Sequence, residues 1–137
     1  MTNAVRFHVL GEPVAKGRAR SAIRAGRIMH YTPEKTMSYE AVVALKARAA
    51  MGPSSPIAGP VMLSVVATWP IPASWSKKRQ QEAIGRPKTS RPDGDNVLKI
   101  VADAMNGIVW NDDAQVWNMH CTKVYGLVPG VVVEVTA

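Results

Sequence analysis

Nine mid-chain residues, Val61 to Trp69, constrain the fold more than any others. They are apolar almost throughout, rich in β-branched side chains, and bounded by Pro60 and Pro70. Such a run is too short to span a bilayer and suits a strand buried in a sheet. Everything else in the chain must extend or cover it. The length is sufficient for that: 137 residues can bury one substantial core, and 47% hydrophobic with 20% charged residues is a globular composition. A single domain over residues 1–137 is expected.

The flanking segments supply the cover. Val5 to Leu10 has the character of an opening strand, closed by Gly11 and Pro13. Lys16 to Arg27 carries five cations and two glycines and is expected to be irregular or a hairpin running into Ile28–Tyr31. Thr32 followed by Pro33 marks the start of a helix reaching Met51, with Met37, Val42, Leu45 and Ala49 predicted on its apolar face. Residues 52–60, with three prolines, form a loop. Ser76 should cap a short basic helix to Ile84, and Asp95 a second one to Asn106, stopped by Gly107. Ala114–Tyr125 and Val131–Val135 are expected to close the chain as a hairpin through Val128, Pro129 and Gly130. The order predicts an α+β fold, a mixed or antiparallel sheet packed with helices.

Charge distribution narrows the function. Seventeen Lys and Arg against ten Asp and Glu give a net charge of +7, which favours a polyanionic partner but fits ribosomal, DNA-binding and lipid-surface proteins alike. Yet all five aspartates lie between positions 93 and 113, and fifteen of the seventeen cations precede them. A nuclease needs both signs: cations to hold phosphates, and clustered carboxylates to hold a divalent metal against them. A lone Cys121 and a first ten residues without a basic start or long apolar stretch point to the cytoplasm, with no membrane attachment.

Within Asp95–Asn106, Val97, Ile100, Val101, Ala104 and Met105 share one helical face and leave Asn96, Lys99, Asp103 and Asn106 on the other. Asp93 and Asp95 stand at the mouth of this helix, where its dipole favours negative charge. Each aspartate alone has an ordinary structural explanation: Asp95 as a cap, Lys99 with Asp103 as a surface pair, Asp112 and Asp113 as turn formers. Their concentration weakens that explanation. A calcium loop is excluded, since Ala104 occupies the twelfth position from Asp93, and separated His8, His30 and His120 with one Cys suggest no zinc site.

The runs Arg91-Pro92-Asp93-Gly94-Asp95-Asn96-Val97-Leu98-Lys99, Asp103-Ala104-Met105-Asn106-Gly107 and Asp112-Asp113-Ala114-Gln115 closely resemble the signature of the RusA family of Holliday junction resolvases. Pro13 to Arg20, Pro72 to Lys78 and Lys123 to Gly126 are similar to further parts of that family's pattern, so the resemblance spans nearly the whole chain. It implies a homodimeric, Mg²⁺-dependent endonuclease of phage or prophage type that cuts four-way DNA junctions symmetrically. It also implies that Asp93, Asp95 and Asp113 are the essential, metal-holding carboxylates and Lys99 the essential lysine. Asp103 matches a motif position without an assigned role.

The chemistry agrees. Phosphodiester hydrolysis must produce a hydroxide near neutral pH and stabilise charge on phosphorus, and hard carboxylate ligands suit Mg²⁺, with Mn²⁺ as a substitute; no nucleotide cofactor is expected. Lys99 would contact the scissile phosphate or stabilise the transition state. Of the cations, Lys16, Arg18, Arg20, Lys88 and Arg91 are the candidate DNA contacts. Trp69 and Trp110 belong to apolar strands and are expected in the core, leaving Trp75 as the candidate for stacking on a base. Two other classes compete: a non-catalytic branched-DNA-binding protein, which predicts metal-independent binding without cleavage, and a phosphatase of small esters, which the cationic excess disfavours.

Overall fold

The computed structural model describes the backbone of residues 4–16, 20–24, 27–31 and 34–137, and the side chains of 4–16 and 34–137. The elements are β1 (Ala4–Leu10), β2 (Arg20–Arg24), β3 (Arg27–Tyr31), α1 (Glu34–Met51), β4 (Val61–Pro70), α2 (Lys77–Ala83), α3 (Gly94–Met105), a 3₁₀ turn (Asp113–Gln115), β5 (Val116–Gly126) and β6 (Gly130–Thr136). β2 and β3 form an antiparallel hairpin of their own, and the other four strands make one mixed sheet in the order β1-β6-β4-β5. The expected α+β domain is thus realised with three helices and a four-stranded sheet.

The apolar run is central in that sheet, as its composition requires. Val61, Leu63, Val65, Ala67 and Trp69 alternate into the core, where α1 and α3 cover them with Val43, Ala47, Val97, Ile100, Val101 and Met105. Burial of five such side chains, at roughly 1.5–3 kcal/mol for each large one, makes β4 the anchor of the domain. Its other face leaves Met62 and Val66 partly exposed.

Three sequence expectations are corrected. The buried face of α1 is Thr36, Val43, Ala47 and Met51, while Met37, Val42, Leu45 and Ala49 are exposed: Ala47 lets the helix approach α3 and β1 closely, and Leu45, two positions from both Val43 and Ala47, points away from that stripe. The expected cap, Thr32 with Pro33, lies outside the described residues. Next, α3 starts at Gly94 with Asp93 at the N-cap position, because the Asp93 carbonyl already accepts from the N–H groups of Asn96 (3.1 Å) and Val97 (3.3 Å); Asp95 lies in the first turn.

The third correction is topological: β5 and β6 are not paired with each other. β5 begins beside Val61 and runs parallel to β4, so it ends at Gly126 beside Pro70. Leu127 to Pro129 then carry the chain over the end of β4, a span of about 10 Å that four peptide units cover easily. β6 returns between β4 and β1, antiparallel to both, where Val131, Val133 and Val135 complete the apolar row. Entry there requires Gly130, since a Cβ would stand 2.5 Å from His8 Nε2 and 2.9 Å from the Val9 carbonyl oxygen.

Candidate active site

The polar stripe of α3 follows from its apolar one. With Val97, Ile100, Val101, Ala104 and Met105 buried, Asp95, Lys99 and Asp103 succeed one another at four-residue spacing along the flank of the helix. That flank forms one wall of a cleft of about 300 Å³, whose other walls are Asp113 from the 3₁₀ turn and Leu63, Val116 and Met119 from the sheet. Asp113 reaches it through a compact return. Gly107, at φ 77°, ends α3, its N–H donates to the Trp110 carbonyl (2.7 Å), and the buried Trp110 donates from Nε1 to Asn106 Oδ1 (2.8 Å).

Gln115 then fastens the turn. Its Oε1 accepts from the N–H groups of Asn111 (2.8 Å) and Asp112 (3.1 Å), while its Nε2 donates to the carbonyls of Ile57 and Gly59, both at 2.8 Å. The proline-rich loop is therefore a brace for the cleft. Asp112 completes a capping box, accepting from the Ala114 N–H at 3.2 Å, so its carboxylate serves the turn and leaves Asp113 to face the cleft.

Asp93, at the N-cap position of α3, is exposed, makes no capping hydrogen bond from its side chain and is not among the residues that line the cleft. The loop before it is held by Lys123, whose Nζ donates to the carbonyls of Ser90 (2.8 Å) and Pro92 (2.5 Å). Lys88 serves the same loop: it donates to Ser90 Oγ (2.7 Å) and its ammonium lies over the rings of Tyr125 (5.3 Å) and Trp69 (5.6 Å). Arg91 is exposed beside Asp93. Lys16 is in contact with the cleft, its Nζ on Glu40 and 3.3 Å from Asp103. Arg18 lies outside the described residues, as does the side chain of Arg20.

The electrostatics of the cleft are those of crowded carboxylates. Burial, then the charges of Asp112 and Asp103, and a hydrogen bond with Asp103, push the Asp113 carboxyl above its usual range. Among the described residues no three acidic, His or Cys side chains are grouped tightly enough to form a closed cage as they stand. Asp95, Asp103 and Asp113 nonetheless line one cleft, and their carboxylates are hard oxygen donors of the kind that suit a divalent cation.

The family model for endodeoxyribonuclease RusA matches residues 11–136. The chain belongs to the RusA endodeoxyribonuclease family. A relative in Bacillus subtilis (strain 168), the uncharacterised protein YqaN, is 37% identical over 138 positions that cover 97% of this chain and 96% of that one. In this RusA-family domain the residues that the sequence did not single out are Glu40, Gln115 and Lys123. Each acts through tertiary contacts; Gln115, three positions after a capping Asp, had a local signal in the capping-box spacing, and Lys123 opens one of the family-like runs, while Glu40 had neither.

The tryptophans also differ from expectation. Trp69 and Trp110 are core, as predicted. Trp75 is engaged, edge-on to Tyr125 (5.3 Å) with Arg79 over its ring at 3.7 Å. Trp117, 66% exposed, is the open one: it sits where β5 bulges against Val61 and Met62, four residues after Asp113.

Proposed function

We propose that this RusA-family protein is a Mg²⁺-dependent homodimeric endonuclease that resolves four-way DNA junctions by paired, symmetric phosphodiester hydrolysis in the cytoplasm. The observation that carries this reading is the cleft itself, where Asp95 and Lys99 of α3 meet Asp113 of the 3₁₀ turn, with Asp93 two residues before Asp95 at the N-cap of α3. Asp93, Asp95 and Asp113 would hold the metal, which when bound supplies a nucleophilic hydroxide and offsets charge at phosphorus; Mn²⁺ is a fitting substitute. Lys99, exposed on the cleft wall, would donate to a non-bridging phosphate oxygen as negative charge develops there. Arg91, exposed two residues before Asp93, with Arg18, Arg20 and Lys88, would hold the flanking phosphates. A two-fold dimer would present two clefts to opposite strands, which suits paired incisions.

The test incubates the protein with a labelled four-way junction or matched linear duplex, in Mg²⁺ or EDTA, beside Asp93→Asn and Asp95→Asn. Paired metal-dependent nicks in the junction, lost in both variants, are expected. Tight junction binding with no cleavage in Mg²⁺ or Mn²⁺ would instead identify a branched-DNA-binding protein whose aspartates are structural.

A further inference from the structure

Among the described residues, Lys16 is a cation that the sequence places far from the acidic motif and the structure brings to its Asp103. Its backbone N–H donates to the Asn96 carbonyl at 2.9 Å, which pins this part of the chain against the first turn of α3. From there the side chain bridges two helices: Nζ hydrogen-bonds Glu40 of α1 and stands 3.3 Å from Asp103 of α3. The three side chains are 22%, 24% and 28% exposed, so the pairing is sheltered and not a surface ion pair. Asp103 in turn lines the same cleft as Asp113.

The result is a connected line from Glu40 through Lys16 to Asp103, which shares the cleft with Asp113. Glu40 does not line the cleft. A lysine that binds phosphate gains nothing from a carboxylate partner on its far side; one that must stay fixed beside another carboxylate does. Burial works to lower the Lys16 pKa, but hydrogen bonding to Glu40 and its charge, followed by those of Asp103, outweigh it and raise it, so the ammonium persists.

Resting on the nuclease reading above, we propose that Lys16 is a positioning residue anchored by Glu40: it holds the Asp103 carboxylate against the cleft wall beside Asp113 and does not contact DNA phosphate. Glu40 thereby makes α1 part of the active-site support.

The experiment measures junction cleavage at saturating Mg²⁺ for the full chain and for Lys16→Met, Lys16→Arg, Glu40→Gln and Lys16→Met/Glu40→Gln, with junction binding in EDTA across a KCl series. Lys16→Met and Glu40→Gln should each lower kcat about tenfold or more, with junction affinity and KM within about twofold of wild type. The double variant should be no worse than Lys16→Met, and Lys16→Arg should restore most of the rate. If Lys16→Met instead weakens binding and reduces the log–log salt slope by about one while kcat holds, Lys16 is a phosphate contact and the inference is wrong. If wild type cuts and both single variants keep its kcat, the inference fails alone. A wild type that binds junctions but cuts in neither Mg²⁺ nor Mn²⁺ overturns the nuclease reading and this inference with it. Should Lys16→Met not fold, Glu40→Gln, outside the cleft, decides between the same outcomes.

Discussion

Replacing Gln115 tests whether the position of Asp113 is imposed by one amide. Gln115→Ala removes four hydrogen bonds, three of them exposed and one, to the Ile57 carbonyl, partly buried. At about 0.5 kcal/mol for each exposed bond and about 1 for the sheltered one, the net cost is roughly 2.5 kcal/mol. With an unfolding entropy of about 2.1 cal/mol/K per residue, that lowers the Tm of a 137-residue domain by roughly 9 °C. Gln115→Glu is the sharper probe: it keeps the acceptor for the Asn111 and Asp112 N–H groups but turns a carboxylate oxygen toward two carbonyls. At neutral pH it should therefore lose at least as much stability as the alanine variant. Both should cut junctions about tenfold more slowly or worse, since a displacement near 1 Å in a reacting group costs on the order of a hundredfold. Thermal melts by circular dichroism and single-turnover cleavage read the two effects. A Gln115→Glu protein with wild-type Tm and kcat would refute the clamp and with it the account of how Asp113 is placed.

Three further outcomes follow from the same contacts. Lys123→Met, by freeing the Ser90 and Pro92 carbonyls, should reduce cleavage through the Asp93 loop far more than it reduces junction binding, with Lys123→Arg recovering part of the rate in the same assay. Tyr39 has a buried hydroxyl without a hydrogen-bond partner, and burial pushes its pKa from 10.0 to about 12. Tyr39→Phe should thus gain about 1 kcal/mol at pH 7, seen as a Tm rise of a few degrees. Because the folded pKa is the higher one, the Tyr39 contribution to stability holds below pH 10 and is lost as pH rises toward 12, so alkaline melts should fall more steeply for wild type than for the phenylalanine variant. Finally, Trp117→Ala should leave Tm unchanged and weaken junction binding about fivefold or more if the exposed ring stacks on a base, as gel-shift titration would show; equal affinity would assign the ring no part in DNA binding.

Much of this molecule was legible one segment at a time. β4 and the amphipathic α3 announce themselves through periodicity, Ser76 caps α2 as its residue type suggests, with Oγ accepting from the Arg79 N–H at 3.2 Å, and Asp95, Lys99 and Asp103 share a flank because a helix repeats every 3.6 residues. The errors arose where two segments compete for one partner. Alternation makes β5 and β6 strands but cannot say that β4 lies between them. The weak amphipathicity of α1 left its buried stripe to be chosen by the space beneath it.

The sequence alone determined the inventory: one apolar strand that must be buried, one helix with an acidic flank, an excess of cations, and the motif that marks the family. Those properties reside in short windows, where propensity and period act without reference to the rest of the chain. Only the tertiary structure decided the neighbourhood of each charge. It brought Lys16 and Glu40 to Asp103, gave Lys88 and Lys123 to the loop before Asp93, assigned Asp112 to its turn, and used Gln115 to deliver Asp113 to the cleft. Contacts between residues dozens of positions apart depend on how the helices and strands pack together, and packing is a property of the whole core, which no single window of sequence contains.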